Sequence, residues 1–420
     1  MVKKSIGKIT ILNFYGGNKP VDFSVDSGRL MCMKIRRNIF LFKLNCFFGN
    51  LWPLSALAIV YFEQITGSYA TALGVFSVAN VVQCLVEVPT GIISDKIGRR
   101  RTMISSAFIF FLSFVAFAMA GTLALASLLL VGGVLWGIAE AFRSGTDDAL
   151  MYETMQQLRK ENKYDIVYAR SKSFSQIGLA TGALLAALVT YFYSLNILAW
   201  VSTLPALGQA IVTLFFVEPN TYIKEEKSSF KHFLAAWKDL CKNRKLQILA
   251  IIQMLNKGIG YPAYRLEGVY FNMLIPTWMV NITRVIKQLS GAISFSITPY
   301  IRKLGFFKIL LLSSIGNVLI RSVGVVLNNF ASPFIISLVN LFYGSETTAE
   351  SALLQKELSQ KQRATMGSIV SLVGGLFKAI MYYVIGLIAD AFSIYFAIVL
   401  LIVCKAVVGG AYYWMLRKYR

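Results

Sequence analysis

Long runs without one ionisable side chain restrict this chain more than any other feature. Residues 104–130 contain none, and residues 195–217 contain none. A helix needs about 20 apolar residues to cross the hydrocarbon layer of a bilayer. Blocks of that kind recur about twelve times. In the first part of the chain they fall at 39–62, 69–93, 103–123, 127–150, 174–192 and 195–217. In the second they fall at 246–271, 274–301, 306–327, 333–354, 367–388 and 392–415. The composition agrees, with 56% hydrophobic and 15% charged residues, where a soluble chain carries about 25% charged. The expected fold is therefore an all-α membrane protein with twelve transmembrane helices.

A net charge of +22 suggests nucleic acid until its placement is read. Lys34, Arg36 and Arg37 precede the first span, Lys96 and Arg99–Arg101 follow the second, and Arg159, Lys160, Lys163, Arg170 and Lys172 follow the fourth. Arg302, Lys303 and Lys308 follow the eighth, Lys356, Lys361 and Arg363 the tenth, and Arg417, Lys418 and Arg420 the last. The odd-numbered connections carry no Lys or Arg. Positive charge marks the cytoplasmic loops of membrane proteins, so both termini are expected in the cytoplasm, and nucleic acid is not an expected partner. The five cysteines form no CxxC pair, and His232 is the only histidine. No catalytic or metal cluster can be assembled from them, and no cofactor is expected. Residues 1–37 read as a polar, basic, disordered segment, and Met31 and Met33 as the true start of the gene. A native N-terminus at Met1 would refute that start.

The chain repeats itself. Pro53, Leu57, Val60, Tyr61 and Phe62 recur as Pro262, Leu266, Val269, Tyr270 and Phe271. Asp95-Lys96-Ile97-Gly98 answers Arg302-Lys303-Leu304-Gly305, Asp147-Asp148-Ala149-Leu150 answers Glu350-Ser351-Ala352-Leu353, and Arg170 answers Arg363. Six spans per copy make the repeats parallel. The expected organisation is a six-helix bundle at 38–217, a cytoplasmic linker at 218–245 and a second bundle at 246–420. Within the linker, Phe230, Phe233, Leu234, Trp237 and Leu240 share one helical face, as in a helix lying on the inner leaflet.

The stretch Glu87-Val88-Pro89-Thr90-Gly91-Ile92-Ile93-Ser94-Asp95-Lys96-Ile97-Gly98-Arg99-Arg100-Arg101 resembles the GxxxD(R/K)xGRRR signature of the major facilitator superfamily. Its position after the second span is that family's position. The resemblance covers nearly the whole chain from the first span onward, and its style is that of bacterial efflux permeases. It implies two six-helix bundles related by a pseudo-twofold axis, rocking about a central site. It also implies that Asp95 latches the halves in the outward-open state. Gly91 would admit a neighbouring helix, Gly98 would permit the tight turn, and Lys96, Arg99, Arg100 and Arg101 would hold it at the anionic leaflet. Some features depart from the family. The second copy has lost the acid and most of the arginines, Gly133 stands where many drug exporters carry an arginine, and the fifth span lacks the Gly-Pro pair of proton antiporters.

Ionisable groups inside a membrane are costly and so are functional candidates. Glu140, Arg143 and Asp147 share one face of the fourth span, at spacing i, i+3, i+7. Arg143, Asp147 and Asp148 are expected to form a gate with Asp95 and the basic loop, although a mutually satisfied Arg143–Asp147 pair fits equally. Glu140, Glu87 and Glu346 are the candidates for proton coupling. Lys257, Arg265, Arg284, Lys287, Glu350, Lys378 and Trp136 are the candidates for substrate contact. Most sit on spans that, by the resemblance, line the cavity. Arg284 and Lys287 need anions, supplied either by Glu346 and Glu350 or by an anionic or zwitterionic substrate. Arg321 and Lys405 lie on spans that are peripheral in the family and receive no role.

No GxxxxGK(S/T) loop is present in the sequence, so ATP is not the direct driver. The expected function is secondary active transport of a small organic solute, as proton-coupled export by a monomer in the bacterial inner membrane. The alternatives are proton-coupled uptake of an organic anion, and a lipid flippase or non-transporting receptor on the same fold.

Overall fold

A computed structural model describes residues 25–219, 244–357 and 363–418, and no strand occurs among them. The first half runs α1 (Val25–Asn50), a 3-10 turn (Pro53–Ala56), α2 (Ala58–Thr66), α3 (Tyr69–Ile97), α4 (Arg99–Leu123) and α5 (Ala126–Arg143). It continues with α6 (Thr146–Gln157), α7 (Tyr164–Phe192), α8 (Leu195–Val201) and α9 (Thr203–Leu214). The second half runs α10 (Arg244–Leu274), α11 (Thr277–Ile301), α12 (Phe306–Leu327), α13 (Ser332–Ser337) and a 3-10 turn (Leu338–Leu341). It ends with α14 (Tyr343–Glu357), α15 (Arg363–Ala391) and α16 (Ile394–Lys418).

These segments make twelve spans, four of them broken: α1/α2, α5/α6, α8/α9 and α13/α14. Local chemistry explains three of the breaks. Pro53 has no N–H to continue the ladder of α1. Gly145 takes a left-handed φ of 72° between α5 and α6. Pro205 sits in the opening turn of α9, where proline is tolerated but the preceding helix must end, whereas α13 gives way to α14 through the 3-10 turn Leu338–Leu341, which holds no proline.

Helix α1 begins inside the segment expected to be disordered. Ile35 and Asn38 are buried while Arg36 and Arg37 are exposed, which is a helical pattern. Asn38 fastens that turn: its Nδ2 donates to Val217 O at 2.8 Å and its Oδ1 accepts Val217 N–H at 2.9 Å. Residues 1–24 and the amphipathic stretch 230–240 lie outside the described residues.

Among the described residues, eight stretches are long and apolar enough to cross a membrane. They cover every span except the first, seventh, eighth and tenth. Those four carry Lys43, Lys257, Arg265, Glu267, Arg284, Lys287, Glu346 and Glu350. Ionisable groups in a span are turned to protein or water, not to lipid.

The duplication is visible in the backbone. Gly98 and Gly305 open α4 and α12 with φ/ψ of 95°/155° and 85°/145°. The repeated tyrosines act alike as well. The Tyr61 hydroxyl donates to Phe117 O near the end of α4 at 2.9 Å, and that of Tyr270 to Asn328 Oδ1 at the end of α12 at 2.9 Å.

The halves meet along a seam where α3 runs beside α15, α7 beside α11, and the first span's break beside α10. We call the membrane face with Arg99–Arg101 the basic face and the other the far face. Hydrogen bonds cross the seam from Asp390 with Ser68, Tyr69 and Ala70 at the far face, through Ser77 with Ala379 O at 2.7 Å, to Cys84 with Leu372 O at 3.6 Å. Cys84 lies about halfway along α3, so these ties reach from the far face to mid-membrane.

Candidate functional site

The signature turn after α3 is held by its own half. Glu218 caps α4, accepting Arg99 N–H and Arg100 N–H at 2.7 Å each. Arg99 pairs with Glu153 at 3.3 Å and bonds Ser94 Oγ at 3.0 Å, and Arg100 reaches Leu214 O at 2.9 Å. Lys96 and Arg101 are exposed. Among the described residues, no atom lies within 4 Å of where a side chain at Gly91 would point, the side on which a neighbouring helix was expected. The side chain of Asp95 lies outside what is described. Arg143 pairs with Glu140 at 2.7 Å, one turn back on α5, and Asp147 also lies within its electrostatic reach. Asp147 accepts the N–H of Asp148 at 2.9 Å in the first turn of α6, just past the break at Gly145, and faces Lys172 as well as Arg143.

The remaining candidates of the first half have partners. Glu87 accepts the Ser144 hydroxyl at 2.9 Å. Trp136 stacks on Phe114 at 5.7 Å and packs on Trp52 at 4.8 Å and Phe110 at 5.1 Å, as part of an aromatic cluster.

Arg265 of α10 crosses the seam. Its guanidinium lies over the Phe76 ring at 4.2 Å and the Trp52 ring at 4.6 Å, and its Nη1 donates to Ser55 O at 3.1 Å. Ser55 O is within reach because the span is broken there. Gly268, one turn further along α10, has no side chain and lets that helix close onto the Ala56 carbonyl. Arg284 stacks on Tyr264 at 3.9 Å and donates through Nη2 to Tyr264 O at 2.7 Å. Only 3% of Arg284 is exposed, yet its Nε and Nη1 have no hydrogen-bond partner. Among the described residues no carboxylate pairs with Arg265 or Arg284.

Lys287 is different. Its ammonium bonds Glu267, and Arg321 Nη2 lies 2.9 Å from the other oxygen of the same carboxylate. Neither Glu346 nor Glu350 answers Lys287, and Arg321, given no role from the sequence, is part of the cluster. Helix α10 runs on to Leu274, which sets Glu267 two turns inside the protein.

Glu346 and Glu350 belong to a second cluster, within the second half. Lys405 Nζ donates to Glu346 Oε1 at 2.6 Å and to Asn256 Oδ1. Asn256 Nδ2 donates to Glu346 Oε1 at 3.0 Å and Glu350 Oε1 at 2.6 Å, and the Tyr412 hydroxyl to Glu350 Oε1 at 2.6 Å. Lys405, on a span expected to be peripheral, is buried here. Lys378 lies 4.7 Å over the Tyr261 ring, and Lys257 is exposed.

This arrangement suits binding and release, with charged groups held between two packed bundles. A structure of a variant of the nucleoside transporter NupG is similar with a TM-score of 0.76 at 14% identity, covering 92% of this chain and 99% of that one. A bacterial homologue of the human lysosomal transporter Spinster, inward-facing and unoccupied, has a TM-score of 0.72 at 11% identity, covering 94% and 98%. A POT family transporter in complex with 5-aminolevulinic acid has a TM-score of 0.67 at 15% identity, covering 91% and 96%. No curated protein sequence matches the chain significantly. The family model described as Major Facilitator Superfamily matches residues 40–298, more than half of the 420 residues. The chain therefore belongs to the major facilitator superfamily and is a membrane transporter, not an enzyme.

Proposed function

We propose that this transporter carries a small organic anion, or a zwitterion bearing a carboxylate, by alternating access with protons as the coupling ion. The observation that carries this reading is an excess of buried cations: no carboxylate pairs with Arg265 among the described residues, and Arg284 must share Glu267 with Lys287 and Arg321, one carboxylate for three cations. A buried cation without an anion is costly by several kcal/mol, and free N–H donors in a dry site add to that cost. A carboxylate or phosphate relieves both, because guanidinium presents a planar fork of donors to it. Arg265 comes from the second half while Trp52, Ser55 and Phe76 come from the first. A solute held there touches both bundles, as a site between rocking halves must.

A neutral nucleoside would leave the excess of cations around Glu267 unmatched, so likeness of fold to NupG need not extend to its cargo. A carboxylate-bearing solute, such as the 5-aminolevulinic acid held by the POT relative, fits the charge better. The basic face reads as cytoplasmic. A membrane negative inside expels anions, so their accumulation needs a coupled cation, whereas their export needs none. Proton coupling of an anion carrier therefore favours uptake over export.

The test uses purified protein in proteoliposomes with monocarboxylates, dicarboxylates, organophosphates, zwitterions and neutral nucleosides. An inward proton gradient is expected to drive accumulation of one anionic or zwitterionic class, with at least a tenfold loss in Arg284→Gln. Equal flux without the gradient, or preference for a neutral solute, would sink the reading. Lipid scrambling alone, or no flux of any class, would favour a flippase or a receptor.

A further inference from the structure

The geometry points to Glu350 as a proton-binding residue, a buried carboxyl that takes up one proton and passes its hydrogen bond to Gln253. The inference deepens the proton-coupled reading and relies on it only for what the proton drives.

Two acids share one cation in this cluster. Glu346, Glu350 and Lys405 are 5%, 8% and 7% exposed, so water screens none of them well. The Lys405 ammonium is spent on Glu346 and Asn256. Among the described residues Glu350 receives only neutral donors, the Tyr412 hydroxyl and the Asn256 amide, both on Oε1. Helix α12 contributes only Leu310 to the cavity beside it, and α10 contributes Leu249, Ile252 and Gln253. With both acids ionised the cluster holds one negative charge that no cation among the described residues matches. Desolvation makes such a charge costly, and a single proton removes it.

A second observation shows where that proton fits. Gln253 is 8% exposed, and its Oε1 accepts no hydrogen bond. It lines a cavity of about 10 Å³ together with Glu350, Tyr412, Leu249, Ile252 and Leu310. That is the space of about one water molecule. An ionised Glu350 offers Gln253 no donor. A protonated Glu350 does, through its own O–H. The buried acceptor without a donor and the buried acid without a cation are two sides of one vacancy, and a proton fills it.

The balance is simple: one proton moves from water to the carboxylate, no covalent bond elsewhere changes, and the cluster goes from one negative charge to none. Asn256 lies nine residues before Arg265 on α10, about 13 Å along the helix axis. The proton site and the seam cation thus share one helix, with Pro262 between them.

The experiment is pH-difference infrared spectroscopy on the full-length protein in nanodiscs. The expected result is a carboxylic C=O band that titrates with pH, is lost in Glu350→Gln and remains in Glu140→Gln. In Gln253→Leu the band is expected to persist but move to higher frequency, because the acid loses its acceptor. Glu350→Gln mimics the protonated acid and should fold; if it does not, the Gln253→Leu shift still decides. Absence of the band in the wild type, its survival in Glu350→Gln, or no shift in Gln253→Leu would overturn the assignment. Proton-driven transport with no such band would sink this site alone. A titrating Glu350 band with gradient-independent transport would uphold the site and sink the coupled reading.

Discussion

Asp390 closes the far face by capping a helix of the opposite half, its Oδ1 accepting the Tyr69 N–H at 2.7 Å. Its Oδ2 takes the Ala70 N–H at 2.9 Å and the Ser68 hydroxyl at 2.6 Å. The first turn of α3 has N–H groups with no helical partner and the positive end of the helix dipole, so a carboxylate is well placed there. These bonds must break if the far face is to open. Each charge-assisted bond is worth about 1.5–3 kcal/mol. Asp390→Asn keeps the shape but removes the charge, and we expect the far-open population to rise at least tenfold. Spin labels at the exposed positions Gln64 and Phe392 would report a longer distance component. An unchanged distance distribution would show that the cap does not hold the gate.

Glu267 answers two cations, Lys287 and Arg321, with 2% of its surface exposed. Removing one partner of a buried ion pair costs about 3–5 kcal/mol, chiefly through the charge left behind. Glu267→Gln is expected to lower the thermal midpoint strongly in detergent. Glu267→Gln/Lys287→Met should recover part of that loss, since one stranded cation is gone while Arg321 remains. A double variant no better than the single would mean the acid acts by packing and not by charge.

The twelve spans were legible because hydrophobic blocks report directly on the solvent that surrounds them. Pairings inside the bundle were not. Arg321 and Lys405 lie on α12 and α16, whose other faces are apolar enough to meet lipid. Hydropathy averages around a helix, so it cannot see that one buried face carries a cation towards Glu267 or Glu346. The breaks were half legible. Pro53 and Pro262 occupy the same place in the repeat, but α1 stops before Pro53 while α10 runs through Pro262. Proline's missing N–H sets a local cost, and tertiary packing decides whether the helix bears it. At the signature turn the expected tight bend at Gly98 is present, but its carboxylate cap, Glu218, comes from far along the sequence.

Arg265 is expected to be sensitive even to a change that keeps its charge. Lysine would not reproduce a planar group lying over Phe76 and Trp52 while donating to Ser55 O. Cation–π contacts in a desolvated site are worth about 0.5–2 kcal/mol. Arg265→Lys should raise the transport KM several-fold to about tenfold with a smaller effect on maximal rate. Initial-rate measurements in proteoliposomes would separate the two. A fall in rate at unchanged KM would place Arg265 in the conformational step instead of solute binding.

Gly98 and Gly305 offer a comparison the duplication itself sets up. Both have positive φ with ψ near 150°, a region that side chains rarely enter, so alanine at either position strains the backbone by about 1–3 kcal/mol. Their surroundings differ. At Gly305 an added Cβ meets nothing within 4 Å, but at Gly98 it meets Glu218 Oε1 at 3.0 Å. That carboxylate holds the first two N–H groups of α4, and losing such a cap costs about 0.5–2 kcal/mol. Gly98→Ala should therefore destabilise more than Gly305→Ala, by roughly the worth of the cap. The excess must vanish when Glu218 is already absent, because strain alone then remains. In a Glu218→Ala background, Gly98→Ala and Gly305→Ala should lower the thermal midpoint equally. If the difference survives there, the cap is not its source and the two turns are not equivalent in strain.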